Sequence, residues 1–160
     1  MNVGDLCNRN VVAVSASAPV SEAARLMCEQ GIGAVVVTAA PADAPVAIGM
    51  VTDRDIVCAQ LDRAADLGQL RTGDIMTGDP LVLNEEAPIE EAIRRLHKRH
   101  VRRAPVINSS GQLIGVISFD DLLMHVSGNL RALAHLAEVR SGPRGRGSAA
   151  EHCAKPGAAK

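Results

Sequence analysis

Two stretches of the chain place apolar residues at i, i+3, i+4 and i+7: Val20, Ala23, Ala24 and Met27, then Ile89, Ala92, Ile93 and Leu96. That period puts each set on one face of a helix. Pro19 and Pro88 stand just ahead, where proline suits a first helical turn. Glu22, or Glu90 and Glu91, follow near the positive helix end. A short apolar run precedes each helix, at residues 11–14 and 81–83, and a β-run follows each, at 34–38 and 104–107. Turn-rich loops come next, Pro41-Ala42-Asp43-Ala44-Pro45 and Asn108-Ser109-Ser110-Gly111. A second β-run, at 47–51 or 113–117, leads into a helix opening at Thr52 or Ser118. The pattern predicts an α/β fold built from the unit β-α-β-β-α, used twice.

The two units are also alike residue by residue. Shifting the chain by 69 positions lays Asp5 to Thr38 on Asp74 to Ile107 without a gap. Asp5/Asp74, Ala18/Ala87, Pro19/Pro88, Glu22/Glu91, Ala23/Ala92, Arg25/Arg94 and Val37/Val106 are then identical. Beyond the first loop, three residues longer in repeat one, the offset becomes 66 and Gly49, Thr52 and Asp55 fall on Gly115, Ser118 and Asp121. A fixed-period repeat signals units that bury their faces against each other, and one copy cannot cover both faces of a three-strand sheet. The expected layout is repeat one over 1–66, repeat two over 67–127, an extra amphipathic helix over 128–139 and a disordered basic tail over 140–160. Residues 64–71 act as the link between copies. Leu130, Leu133, Leu136 and Ala137 share a face of the extra helix, whereas the Gly, Pro, Ala and Ser of the tail cannot repay the entropy of ordering.

Composition narrows the function. The 160 residues hold one Phe and neither Tyr nor Trp, so the core rests on aliphatic side chains. The stacking platforms of many single-strand nucleic-acid binders are missing. Net charge is −1, with +4 confined to residues 140–160, which favours neither nucleic acid nor membrane. No stretch reaches the roughly 20 apolar residues of a membrane span, and Met1-Asn2-Val3-Gly4-Asp5 lacks a signal peptide's basic and apolar regions. A cytoplasmic location is the expectation. Cys7, Cys28, Cys58 and Cys153 form no C-x-x-C pair and read as reduced thiols. His97 and His100 are spaced i, i+3 but no Cys, Asp or Glu stands at matching spacing, so no metal site is expected. No Ser/His/Asp or Cys/His set, Walker-type loop or G-x-G-x-x-G is present, so the chain does not read as an enzyme.

Gly49-Met50-Val51-Thr52-Asp53-Arg54-Asp55 and Gly115-Val116-Ile117-Ser118-Phe119-Asp120-Asp121 share the spacing G-h-h-[ST]-x-x-D. Ser or Thr at a strand-to-helix junction is an N-cap candidate, and a helix start suits phosphate. The Asp lies one turn later, beside the hydroxyl, where a carboxylate can accept both hydroxyls of a ribose. The same pair also makes an ordinary N-terminal cap. Arg54 can clamp phosphate bidentately or stand solvated. In repeat two Phe119 and Asp120 take the intervening places, so phosphate is favoured at the Thr52/Arg54/Asp55 site.

These two segments, with Val101-Arg102-Arg103-Ala104-Pro105-Val106 and Asp74-Ile75-Met76-Thr77, resemble the CBS motif over about residues 3 to 127. The resemblance implies tandem CBS repeats packed as one pseudo-symmetric module, a Bateman module, with two related clefts and often a homodimer. It implies a stand-alone regulator that binds an adenosine-type nucleotide (AMP, ADP, ATP or S-adenosylmethionine) and signals to an unknown protein partner. No cofactor is required; the nucleotide is the regulatory ligand. Thr52 and Ser118 would meet phosphate, and Asp55 and Asp121 ribose. Strand-end positions make Val12, Ile32, Leu81 and Val101 the candidate adenine lining, with plain core as the other reading. Arg102 and Arg103 would attract polyphosphate electrostatically, within a basic run that also reads as a solvated helix face. The alternative to a sensor is a ligand-free dimeric interaction module.

Overall fold

A computed structural model describes residues 1–39, 45–63 and 67–140. Repeat one contains α1 (Val3–Leu6), β1 (Ala13–Ser15), α2 (Val20–Gln30), β2 (Ala34–Ala39), β3 (Val46–Thr52) and α3 (Asp53–Arg63). Repeat two contains α4 (Thr72–Ile75), β4 (Thr77–Gly78), β5 (Leu83–Asn84), α5 (Ile89–Arg99), β6 (Arg103–Ile107), β7 (Leu113–Ser118) and α6 (Phe119–Arg140). This is the expected mixed α/β architecture of two repeats. In each, a short strand runs parallel to the next, which pairs antiparallel with the third. Residues 1–125 form one compact unit. Residues 126–140 belong to a second unit and continue α6, with Leu130, Leu133 and Leu136 exposed.

The apolar stripes read from the sequence are the buried ones. Val20, Ala23 and Met27 of α2 and Ile89, Ala92 and Leu96 of α5 are buried, while Ile93 is exposed. Pro19 and Pro88 occupy the N-cap positions. Both helices stop at a residue in the left-handed region, Gly31 at φ 62° and His100 at φ 52°. Glycine accepts that backbone freely, whereas His100 carries a Cβ into it, at a cost of about 1–2 kcal/mol.

Several expectations shift at the edges. The first strands begin later than the apolar runs at 11–14 and 81–83, because only their last residues reach parallel pairing: Ala13 opposite Val36, and Leu83 opposite Val106. Val12 and Leu81 pack against the cores instead. No separate helix occupies 128–139; that stretch is the end of α6, which Gly128 does not break. The turn expected at Pro41 to Ala44, the first part of the 64–71 link and the tail from 141 lie outside the described residues.

The sequence pattern did not reveal how the copies interlock. The lead-in segment of each repeat docks on the other repeat. Asn8 exchanges two backbone hydrogen bonds with Val116 of β7, both 2.9 Å, and Val3 and Gly4 N–H donate to Ala87 and Glu85 carbonyls at 2.9 and 2.8 Å. Reciprocally, β4 of repeat two joins β3, with Gly78 opposite Gly49, while Thr72 and Gly73 donate to Ala18 and Ala16, both at 2.9 Å. Val3 therefore sits fully buried in the core of repeat two, with Leu83, Val106 and Ile117. Ile75 and Met76 pack against the core of repeat one. Asp5 and Asp74, identical in the repeat, each accept the backbone N–H three residues earlier, Asn2 at 2.8 Å and Arg71 at 3.0 Å, closing these short helices. The buried Thr72 hydroxyl donates to the Ser15 carbonyl at 2.6 Å.

A third apolar layer joins the sheets. Val35 and Val37 point into the core of repeat one, while Val36, with Met50, is buried against Leu113 and Val116. A strand covered on both faces reads as a continuous apolar run, as Val35-Val36-Val37 does. Each fully buried side chain of this size contributes about 1.5–3 kcal/mol.

The interlock leaves no room at two equivalent glycines. A Cβ on Gly115 would stand 2.6 Å from Cys7 Sγ, and one on Gly49 would stand 2.5 Å from Met76 Sδ. Burial pushes the Cys7 thiol pKa up, against the pull of Arg9, so Cys7 packs there as a neutral thiol. Gly115→Ala is expected to lower unfolding free energy by about 1–3 kcal/mol through overpacking, read from urea denaturation. Cys7→Ala in the same chain should recover part of that loss, as contacting sites are not additive. Gly128→Ala, with nothing within 4 Å, should be neutral or stabilising. Equal losses at Gly115 and Gly128 would contradict the interlocked packing.

Candidate functional site

Each β3-α3 or β7-α6 junction carries a reciprocal cap. Thr52 N–H and hydroxyl donate to Asp55 Oδ2 at 2.8 and 2.7 Å, and Asp55 N–H donates back to Thr52 Oγ1 at 3.3 Å. Ser118 and Asp121 repeat the geometry at 2.8, 2.5 and 3.2 Å. The hydroxyl-carboxylate pairs thus serve as caps in this structure. A ligand hydroxyl would share or replace those bonds.

Because the lead-in segments cross over, each junction faces the other repeat across a cleft. The larger cleft, of about 680 Å³, is lined by Thr52, Asp53 and Arg54 from repeat one and by residues 77–81 and 99–103 from repeat two. It brings together Thr52, Arg54, Leu81, Val101, Arg102 and Arg103. The smaller cleft, of about 280 Å³, brings together Val12, Ile32, Arg103, Ser118 and Asp121. Asp55 does not line the larger cleft, whereas its counterpart Asp121 lines the smaller one. Thus ten of the eleven residues singled out line one cleft or the other, with Arg103 common to both, while Asp55 lines neither and is bonded to Thr52.

Electrostatically the clefts differ. The larger holds Arg54, Arg99, Arg102, Arg103 and His100 against Asp53 and Asp79. Arg99 bonds Asp79 at 3.1 Å and its carbonyl at 2.9 Å. Arg102 lies 3.7 Å from Asp120 and 5.4 Å from the centroid of the Phe119 ring. Among the described residues neither Arg54 nor Arg103 is in an ion pair. The smaller cleft holds Arg103 with Asp120, Asp121, Asn8 and Asn10.

Sequence reasoning missed Asp79, Arg99 and His100, which reach the larger cleft through the end of α5 and the turn after β4, and Asn8 and Asn10, carried by the crossed lead-in. A signal existed for one of them: His100 matches the helix-stopping Gly31 in the repeat, which marks the end of α5. Among the described residues no group of three or more His, Cys, Asp or Glu side chains is placed to hold a metal ion. No described helix is long and apolar enough to cross a membrane.

The CBS domain family model matches residues 3–62 and 73–128. The uncharacterized protein MK0525 of Methanopyrus kandleri is 30% identical over 123 residues, covering 77% of this chain and 61% of that protein. An inosine-5′-monophosphate dehydrogenase of Korarchaeum cryptofilum is 34% identical over 119 residues, 74% of this chain and 23% of that enzyme. The chain thus spans less than two thirds of either relative. Among solved structures, a hexameric CBS-CP12 protein from bloom-forming cyanobacteria is 32% identical with a TM-score of 0.66, covering 77% of this chain and 69% of that one. The CBS domain pair of MJ0100, in complex with 5′-methylthioadenosine and S-adenosyl-L-methionine, shares the fold at 17% identity and a TM-score of 0.70, covering 81% and 98%. With the two family matches lying on its two interlocked repeats, the chain belongs to the CBS domain family as a tandem pair.

Proposed function

We propose that the module senses an adenine nucleotide and has a regulatory rather than catalytic role. One observation carries the reading: the larger cleft gathers cations from both repeats around the Thr52 helix start, with apolar Leu81 and Val101 beside them. Phosphate suits the cationic helix end, and an adenine base suits the aliphatic wall. The ligands of the MJ0100 pair are adenosyl compounds, which supports the same chemistry here. Charge favours ATP or ADP in the larger cleft. The smaller cleft, with two carboxylates and one guanidinium, suits a less anionic nucleoside. Ligand bound between the repeats would bias their packing and so a partner's docking, provided it binds one arrangement better than another.

We also propose self-association. Val57 and Leu61 of α3 and Leu123 and Met124 of α6 are all at least half exposed, and Val57 and Leu123 are equivalent in the repeat. A second copy presenting the same faces would cover them, and the hexameric relative supports such assembly. A ligand-free interaction module remains the competing reading, and it needs the same faces.

Isothermal titration of the full chain with ATP, AMP and S-adenosylmethionine tests the sensing function. ATP should bind most tightly and weaken as salt is raised. Arg54→Ala and Arg102→Ala should each weaken ATP roughly tenfold, the scale of a charged hydrogen bond. Absence of heat for all three ligands at millimolar concentration would leave the ligand-free module as the answer. Asp55→Ala is the poorer probe, because losing the cap should itself cost about 1 kcal/mol of stability. Sedimentation velocity tests the second claim: the chain should run as a dimer or larger, and Leu61→Asp with Met124→Asp should shift it toward monomer. A monomeric wild-type chain would refute it.

A further inference from the structure

Gly33, Met50 and Arg103 line both clefts, and of these only Arg103 is charged. Arg103 opens β6 directly opposite Ser118, the hydroxyl residue of the smaller cleft. Its Nη1 lies 3.6 Å from the point a Gly33 Cβ would occupy, and Oδ2 of Asp53, which lines the larger cleft, lies 3.3 Å from that same point. Gly33 is therefore the gap through which one guanidinium reaches both sites. The pseudo-symmetry does not duplicate it, since Arg102-Arg103 corresponds to Gly33-Ala34 in repeat one. Arg103 is half-buried and, among the described residues, in no ion pair.

We propose that Arg103 is a shared anion ligand through which the two clefts compete for phosphate. This rests on reading both clefts as nucleotide sites. A guanidinium fork binds phosphate bidentately in a fixed geometry and cannot serve two phosphates at once. When a polyphosphate in the larger cleft engages it, the smaller cleft keeps Asp120 and Asp121 and loses the one cation that lines it among the described residues. A phosphate entering there then meets like charge, while a neutral nucleoside does not. The competition is reciprocal, because coupling between two binding sites must be. The occupied pair is thereby restricted to one phosphate-rich ligand and one neutral or cationic one.

Amide NMR of the uniformly ¹⁵N-labelled full chain reads the clefts separately, Thr52 and Arg54 for the larger and Ser118 and Asp121 for the smaller. AMP and, separately, adenosine are titrated into the protein alone and after the larger cleft has been filled with ATP. ATP should weaken AMP at the smaller cleft about tenfold, within the usual range of such couplings, and leave adenosine within about twofold. Arg103→Met should abolish the difference between the two probes. Arg103→Lys, which keeps the charge without the fork, should retain part of it. Equal responses of AMP and adenosine to ATP in the wild type, or full antagonism persisting in Arg103→Met, would overturn the shared-ligand assignment while leaving nucleotide binding intact. Amides at neither cleft responding to any of the three probes would instead remove the nucleotide reading itself, and this inference with it.

Discussion

The exchange of lead-in segments is the constraint on which the rest depends. Residues 2–8 give their hydrogen bonds and Val3 to repeat two, and residues 71–78 give theirs to repeat one. Each half therefore completes the other's core, and neither repeat is closed by its own chain. The glycines at 49 and 115 are the points where this crossing runs closest, with Met76 and Cys7 filling the space their side chains would need. Val36, Met50 and Leu113 seal the sheets from the other side. Once the halves are locked this way, each strand-to-helix junction must look across at the opposite repeat, and the two clefts follow as geometry.

Symmetry of the frame does not extend to charge. Both junctions carry the same cap with nearly the same distances. What differs lies around them: Arg54 against Asp120, and the Arg102-Arg103 pair against Gly33-Ala34. The repeat thus supplies two equivalent scaffolds, and substitutions at a few positions turn one toward anions and leave the other mildly acidic. Arg103 belongs to both, which couples them electrostatically without a moving part other than its own side chain.

Much of this was legible from the chain. The helical stripes of α2 and α5, the paired strands and the two G-h-h-[ST]-x-x-D segments follow from period and repetition, and the family match falls on them. Of the eleven residues that junctions, strand ends and the family resemblance point to, ten lie along the two clefts; Asp55 does not, although its counterpart Asp121 makes the same cap and lines the smaller one. What could not be read was non-local. The crossing of α1 and α4 depends on backbone pairing between residues far apart in the chain, such as Thr72 and Ala18 or Asn8 and Val116, and four-residue helices carry no periodicity. For the same reason Asn8, Asn10 and Asp79 gave no hint of lining a cleft. The separate helix expected over 128–139 is the end of α6, because the apolar face seen there belongs to a helix that runs on through Gly128.

The central claim is that two interlocked repeats create an anion-seeking cleft from residues of both. A crystal structure of the full chain grown with ATP tests it most directly. The account expects triphosphate density between Arg54 of repeat one and Arg102 of repeat two, the adenine against Leu81 and Val101, and the lead-in segments crossed as described. Nucleotide bound outside that cleft, or repeats each closed by their own lead-in segment, would contradict it.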